Sequence, residues 1–173
     1  MTGTIKVLSL LQPWATLVAE GLKRVETRSW STSYRGPIAI HATKKFTRSD
    51  WEMIMVKTHW ARPSCIHAIR RALTRAGYTT HQQFPTGCIV ALADLVACRS
   101  TAFGIESMLT CDGHPIQGYE WMDKLSEDER AFGDYGPNRW GWFLENVRRL
   151  EDPIPARGAL GLWDFPADQL EGI

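Results

Sequence analysis

The chain has 173 residues, 20 Lys plus Arg against 19 Asp plus Glu, and a formal net charge of +1, which suits one ordinary domain with a real core and excludes a global basic field of the kind that drives tail-like nucleic-acid binding. Cys65, Cys88, Cys98 and Cys111 form no CxxC pair, no apolar run approaches the roughly 20 residues that span a bilayer, and the first residues lack the pattern of a secretory signal. The sequence therefore reads as a cytoplasmic protein with reduced thiols and no membrane contact.

In chain order, Ile5 to Leu11 carries the short apolar pattern of a buried strand, and Gln12-Pro13-Trp14 turns the chain into a helix from Ala15 to Glu20 that stops at Gly21. Val25 to Trp30 is predicted as the second strand, Ser31 to Gly36 as a turn-rich link, and Pro37 to Thr43 as the third strand, closed by Lys44 and Lys45. Helical spacing runs from Thr47 to Lys57 and again from Ser64 to Gly77, where Ile66, Ile69, Leu73 and Ala76 recur every three or four residues and Arg70, Arg71 and Arg75 fall elsewhere. Such a basic face fits a solvated surface as well as a nucleic-acid contact.

Gly87 to Cys98 is the longest apolar segment, and its β-branched residues favour a central strand. Asp94 interrupts it; a buried carboxylate needs a partner, and Arg28 or Arg35 is the expected one. The polar, weakly periodic stretch from Ser100 to Gly136 predicts loops and one helix near Ser126 to Phe132, with Ser126 and Glu129 spaced as a capping box. Arg139 to Leu150 is another strand, Pro153-Ile154-Pro155 ends it, Ala156 to Gly161 turns around Arg157-Gly158, and Leu162 to Phe165 supplies a last short strand. Five or six strands with two or three helices, and no regular βαβ alternation, point to an α+β fold: a mixed β-barrel or strongly curved sheet with helices packed around it. The organisation expected is a single domain over residues 1–173, with a helical insertion at about 47–84 and a loop-rich insertion at about 100–136.

The most unusual chemistry lies between Gly21 and Trp30. Residues two apart in a strand point the same way, so Glu26, Arg28 and Trp30 share a face, with Lys23 at the strand mouth near enough to join them. A carboxylate, a guanidinium and an indole together can grip a flat polar ligand; an edge strand carrying solvated charges explains the same alternation. Eight tryptophans are mostly core material, yet an indole face is also a platform for a nucleobase. Ser9 and Gln12, at the end of the first strand, are candidates for the same cavity, with helix capping as the other role of Gln12. His41 is a lone histidine on a strand, either packed and hydrogen-bonded or acting as acid or base beside Lys44. His59, Cys65 and His67 match no zinc spacing, so neither a metal nor a cofactor is expected.

Leu8 to Trp14, Gly21 to Trp30, Tyr34 to Ala42, Trp140-Gly141-Trp142 and Pro153 to Trp163 together resemble the ASCH family, the domain named after activating signal cointegrator 1. Its Gly-x-Lys-x-x-Glu-x-Arg pattern is met by Gly21, Lys23, Glu26 and Arg28. The resemblance implies a PUA-like β-barrel and nucleic-acid binding in a central cleft. The ligand-binding candidates are then Ser9, Gln12, Trp14, Lys23, Glu26, Arg28, Trp30, Arg35, His41, Lys44 and Trp140. The expected partner is RNA, another single-stranded nucleic acid, or a modified nucleoside. In that reading Glu26 accepts from an exocyclic amine and a tryptophan stacks a base, worth about 1–3 kcal/mol, while the near-neutral chain binds modestly and loses affinity with salt.

Some small bacterial members of the family are amidohydrolases that deacylate N4-acetylcytidine, which gives an alternative with Lys23 and Glu26 as catalytic proton carriers and Arg28 holding an oxyanion. Those members carry a threonine three residues after the lysine, where this chain has Glu26, so a threonine nucleophile does not carry over. A ribonuclease using His41 beside Lys44 is the second alternative.

Overall fold

The computed structural model describes residues 3–55, 63–101 and 120–170. Six strands, β1 (Thr4–Leu10), β2 (Val25–Arg28), β3 (Gly36–Ala42), β4 (Cys88–Ser100), β5 (Trp140–Pro155) and β6 (Leu162–Pro166), form one sheet in the order β2-β5-β4-β3-β1-β6. β1 and β3 run parallel and the other neighbours antiparallel. Among the described residues five α-helices accompany them: α1 (Trp14–Ala19), α2 (Arg48–Met55), α3 (Pro63–Arg75), α4 (Glu120–Asp123) and α5 (Glu127–Phe132). This is the α+β arrangement that the strand and helix patterns predict. Its hydrogen-bonded ladder stays open between β2 and β6 rather than closing into a full barrel.

Alternation along the strands divides the core between two faces of the sheet. Leu8 and Leu10 of β1 with Ile38, Ile40 and Ala42 of β3 pack with Ala15, Val18 and Ala19 of α1, whereas Val7, Ala39 and Ile89 pack on the other side with Leu150, Phe165 and Leu170. Leu17 points away from the sheet into a second layer formed with Trp51, Ile69, Leu73 and Phe132 of the outer helices. α1 is thus enclosed from both sides, which explains why Ala15 to Ala19 are all buried. Gly21, with φ +68, ends it: its N–H donates to Val18 O at 2.8 Å and the Leu22 N–H to Leu17 O at 2.9 Å, the paired bonds of a Schellman stop. Lys23 N also reaches Leu17 O, at 3.0 Å, so the helix stop sets the direction in which Lys23 leaves the turn.

β4 and β5 are the longest strands, and their pairing shifts register at Ile89/Ala91, Leu92/Asp94 and Leu95/Ala97; bulges of this kind bend a sheet. The bend brings β2, at one edge, to β1 near the other: Arg28 Nη2 donates to Ser9 O at 2.6 Å. Just beyond β2, the Trp142 indole N–H donates to Trp30 O at 3.2 Å.

Two local expectations change. Asp94 pairs with neither arginine; its carboxylate accepts from Asn146 Nδ2 at 2.8 Å, because Arg28 is held at Ser9 and Arg35 donates to the carbonyls of Thr32 and Tyr34. β5 runs on past Leu150 and stops only at Pro155, since Ile154 and Pro155 still pair with Ile89 and Cys88. Of the loop-rich stretch expected at 100–136, residues 102–119 lie outside the described residues, as does His59. Among the described residues no helix is long and apolar enough to cross a membrane.

Candidate functional site

A cleft of about 1100 Å³ opens where the end of β1, the end of β3 and the segment after β5 meet. Ser9, Arg28, Trp30, His41, Thr43 and Lys44 line one side, and Thr86, Gly87 and the run Pro155 to Gly161 line the other. Among the described residues three cations, Arg28, Lys44 and Arg157, border it, and no carboxylate lines it. In a chain whose acidic and basic residues are nearly equal in number, that local imbalance favours an anionic ligand. Trp30 is half-buried and stands edge-on to the buried Trp142 ring, with centroids 4.6 Å apart.

The floor of the cleft is a polar network. His41 Nε2 lies 3.1 Å from Ala156 O and Nδ1 lies 3.1 Å from Ser9 Oγ. A carbonyl only accepts, so Nε2 carries the proton and Nδ1 is the acceptor in the neutral ring. Burial holds the His41 pKa below its ordinary value, against the opposing pull of the Ala156 carbonyl. Ser9 Oγ accepts from Trp163 Nε1 at 3.0 Å and can donate to Ala159 O at 3.2 Å. Gly158 lies directly against the pair: a Cβ there would stand 2.5 Å from His41 Cε1, 2.9 Å from its Nδ1 and 3.1 Å from Ser9 Oγ.

Behind the cleft lies a buried ionic cluster. Lys23, with no exposed surface, sits 3.5 Å from Glu129 Oε1 and 3.9 Å from Glu26 Oε2, and donates to Val25 O. Glu26 Oε1 is 3.3 Å from Arg28 Nε, an ion-pair distance at which the N–H is not aligned for a hydrogen bond. Burial pushes the Glu26 carboxyl above its usual range, and the charges of Lys23 and Arg28 only partly offset it. Arg28 therefore joins the two layers, touching Glu26 behind and the cleft in front.

Of the candidates read from the sequence, Ser9, Arg28, Trp30, His41 and Lys44 line the cleft. Lys23 and Glu26 form the cluster behind it. Gln12 is buried, accepts from Thr16 N at 3.1 Å and donates to Pro85 O at 2.8 Å, the capping role. Trp14 donates to Phe132 O at 2.8 Å and packs on the helical layer. Arg35 is exposed and bonded within its own turn, and Trp140 packs on the sheet core opposite Arg28 on β2 and Ser100 on β4. On α3, Arg71 is ion-paired with Asp128 and Arg70 reaches Ile54 O at 3.5 Å, so part of that basic face is already engaged.

Two features escape a sequence reading. Glu129 supplies half of the predicted capping box, since Ser126 Oγ accepts its N–H at 3.1 Å. Its carboxylate leaves the helix end and instead accepts from Arg24 N at 2.7 Å and Val25 N at 3.2 Å. The other is the wall from Pro155 to Gly161, whose glycines and fully exposed Leu160 resemble an ordinary turn until β1 and β3 are placed beside it.

Comparison with known proteins agrees with this architecture. The chain is 37% identical to activating signal cointegrator 1 of Homo sapiens over 93 residues, and 38% identical to the Mus musculus protein over the same length. Each match covers 54% of this chain and 14% of the relative, so the chain spans a small part of the length of these curated relatives. The ASCH domain profile matches residues 8–154, from β1 through nearly all of β5, and the chain belongs to the ASCH domain family.

Proposed function

We propose that the cleft binds RNA or another single-stranded nucleic acid, or a nucleobase drawn out of one. The observation that carries this reading is that Arg28, Lys44 and Arg157 border a cavity whose described lining residues include no carboxylate, beside the Trp30 indole. Phosphates supply the charge that such a lining attracts, and an aromatic face offers a stacking surface for any base. Membership of the ASCH family supports the same class of ligand.

The geometry favours binding over the two catalytic readings built on the same residues. Lys23 is enclosed by Glu129, Glu26 and the Val25 carbonyl and does not line the cleft, which leaves it no route to an N4-acyl group there. His41 is 2% exposed with both ring nitrogens engaged, so it does not reach a phosphodiester directly as a ribonuclease would require.

The test is anisotropy of labelled single-stranded RNA, single-stranded DNA and duplex at low salt, with free N4-acetylcytidine incubated in parallel. Retention of a single strand that drops about tenfold or more in a Lys44→Ala/Arg157→Ala double variant is expected, with the nucleoside unchanged. Absence of retention at low salt, or retention indifferent to both cations, rejects the reading.

A further inference from the structure

We propose that Ser9 and His41 form a nucleophile–base pair that removes an acyl group carried as a carboxylic ester on a phosphate-bearing ligand in the cleft. The ligand class rests on the anionic-ligand reading above; the pair itself stands on its own geometry. Its three parts are a nucleophile, a base in hydrogen-bond reach and a third group orienting the base. Ser9 Oγ is 3.1 Å from His41 Nδ1, and the Ala156 carbonyl, 3.1 Å from Nε2, fixes the tautomer that leaves Nδ1 free to accept. His41 is too enclosed to touch a ligand, whereas Ser9 lines the cleft, so the base acts through that hydroxyl.

The surroundings suit the step. Trp163 donates to Ser9 Oγ at 3.0 Å, which holds that oxygen in place and leaves its one proton to be shared between His41 Nδ1 and the Ala159 carbonyl. Arg28, fastened at 2.6 Å to the carbonyl of Ser9 itself, brings a guanidinium to the same residue. Glycine at 158 lets the cleft wall lie directly against the pair without a side chain between them.

In the reaction, Ser9 Oγ bonds to the ester carbonyl carbon while its proton passes to His41 Nδ1. The carbon–alkoxy bond then breaks, and the leaving alkoxide takes a proton from water in the cleft. The hydroxide so formed attacks the acyl-serine, the carboxylic acid departs, and the proton held on His41 Nδ1 returns to Ser9 Oγ. No oxidant, reductant or further reactant is consumed.

A structural latch would use the same bonds, since His41 and Ser9 also pin the loop carbonyls of Ala156 and Ala159. The purified chain is therefore treated with a fluorophosphonate reporter, the adduct located by peptide mass, and acetate release from 3′-O-acetyl-AMP followed over pH. His41→Gln keeps a donor for the Ala156 carbonyl but removes the base, and Ser9→Ala removes the nucleophile. Expected are an adduct on Ser9 and acetate release that climbs with pH through a midpoint below the ordinary histidine value of 6.5. Both fall about 100-fold or more in each variant. No Ser9 adduct on the folded wild-type chain, or equal labelling of His41→Gln, overturns the proposal. An adduct at Ser9 on a chain that retains no oligonucleotide keeps the pair and rejects the binding reading; retention without an adduct does the reverse.

Discussion

Lys23 Nζ and Glu129 Oε1 stand 3.5 Å apart with almost no exposed surface on either side chain, joining the turn after α1 to α5, the helix that precedes β5. The same carboxylate accepts from the Arg24 and Val25 amides and from the Tyr135 hydroxyl at 3.3 Å. Glu129 thereby satisfies the start of edge strand β2, which carries Glu26 and Arg28 toward the cleft. Burial, reinforced by the Glu129 charge and hydrogen bond, pushes the Tyr135 hydroxyl far above the usual tyrosine range, so it remains a donor to Glu129.

Glu129→Ala leaves two strand amides without their acceptor and takes from the buried Lys23 ammonium the nearer of its two carboxylates. Removing one partner of a buried ion pair costs about 3–5 kcal/mol, and a loss of that size is expected in urea unfolding, with Glu129→Gln losing less. A loss under about 1 kcal/mol means that β2 is held by other contacts.

Two buried groups give stability opposite dependences on pH. Glu26 has a raised folded pKa, so the folded chain holds a proton that the unfolded chain releases, and stability falls as pH rises above the ordinary glutamate value of 4.5. His41 has a lowered folded pKa, so the unfolded chain gains a proton first and stability falls as pH drops below 6.5. Urea midpoints across this range should flatten on the alkaline side for Glu26→Gln and on the acid side for His41→Gln. Unchanged slopes in either variant remove the assignment for that group.

Gly158→Ala should disturb the cleft through contact alone, because its Cβ would meet the His41 ring at 2.5 Å and Ser9 Oγ at 3.1 Å. His41 has 2% exposure and little room to yield. A cost of about 1–3 kcal/mol follows from overpacking, together with a changed Trp163 fluorescence, since that indole donates to Ser9 and stands edge-on to His41. Wild-type stability and fluorescence in this variant would show that the loop can move aside freely.

Ligand binding through the cleft cations should carry a salt signature. For a single strand each phosphate contact contributes a slope of about −0.7 in log affinity against log salt, so Lys44→Ala and Arg157→Ala should each reduce the slope by about that amount. Lys45→Ala, outside the lining, should leave it unchanged. Equal effects at all three positions indicate diffuse attraction to the surface rather than contacts in the cleft.

Local patterns determined most of the elements. Alternation along Val7, Leu8, Ile38, Ala39 and Ile40 specified strands buried on both faces, Gly21 specified the helix stop, and Ser126 specified the start of α5. Each depends on neighbours within a few residues, where backbone geometry and side-chain spacing act directly. The alternation of Glu26 with Arg28 likewise put their charges on one face of β2. Tertiary structure decided what those residues do. Curvature from the β4–β5 bulges brought Arg28 to Ser9; Glu129 drew Lys23 into a buried cluster behind the cleft; and the chain after β5 placed Arg157 and Gly158 beside His41. These contacts join residues far apart in sequence, and their existence depends on how strongly the sheet bends. No local spacing encodes that bend, so the sequence supplied the charges and tertiary packing divided them between a buried cluster and a cleft.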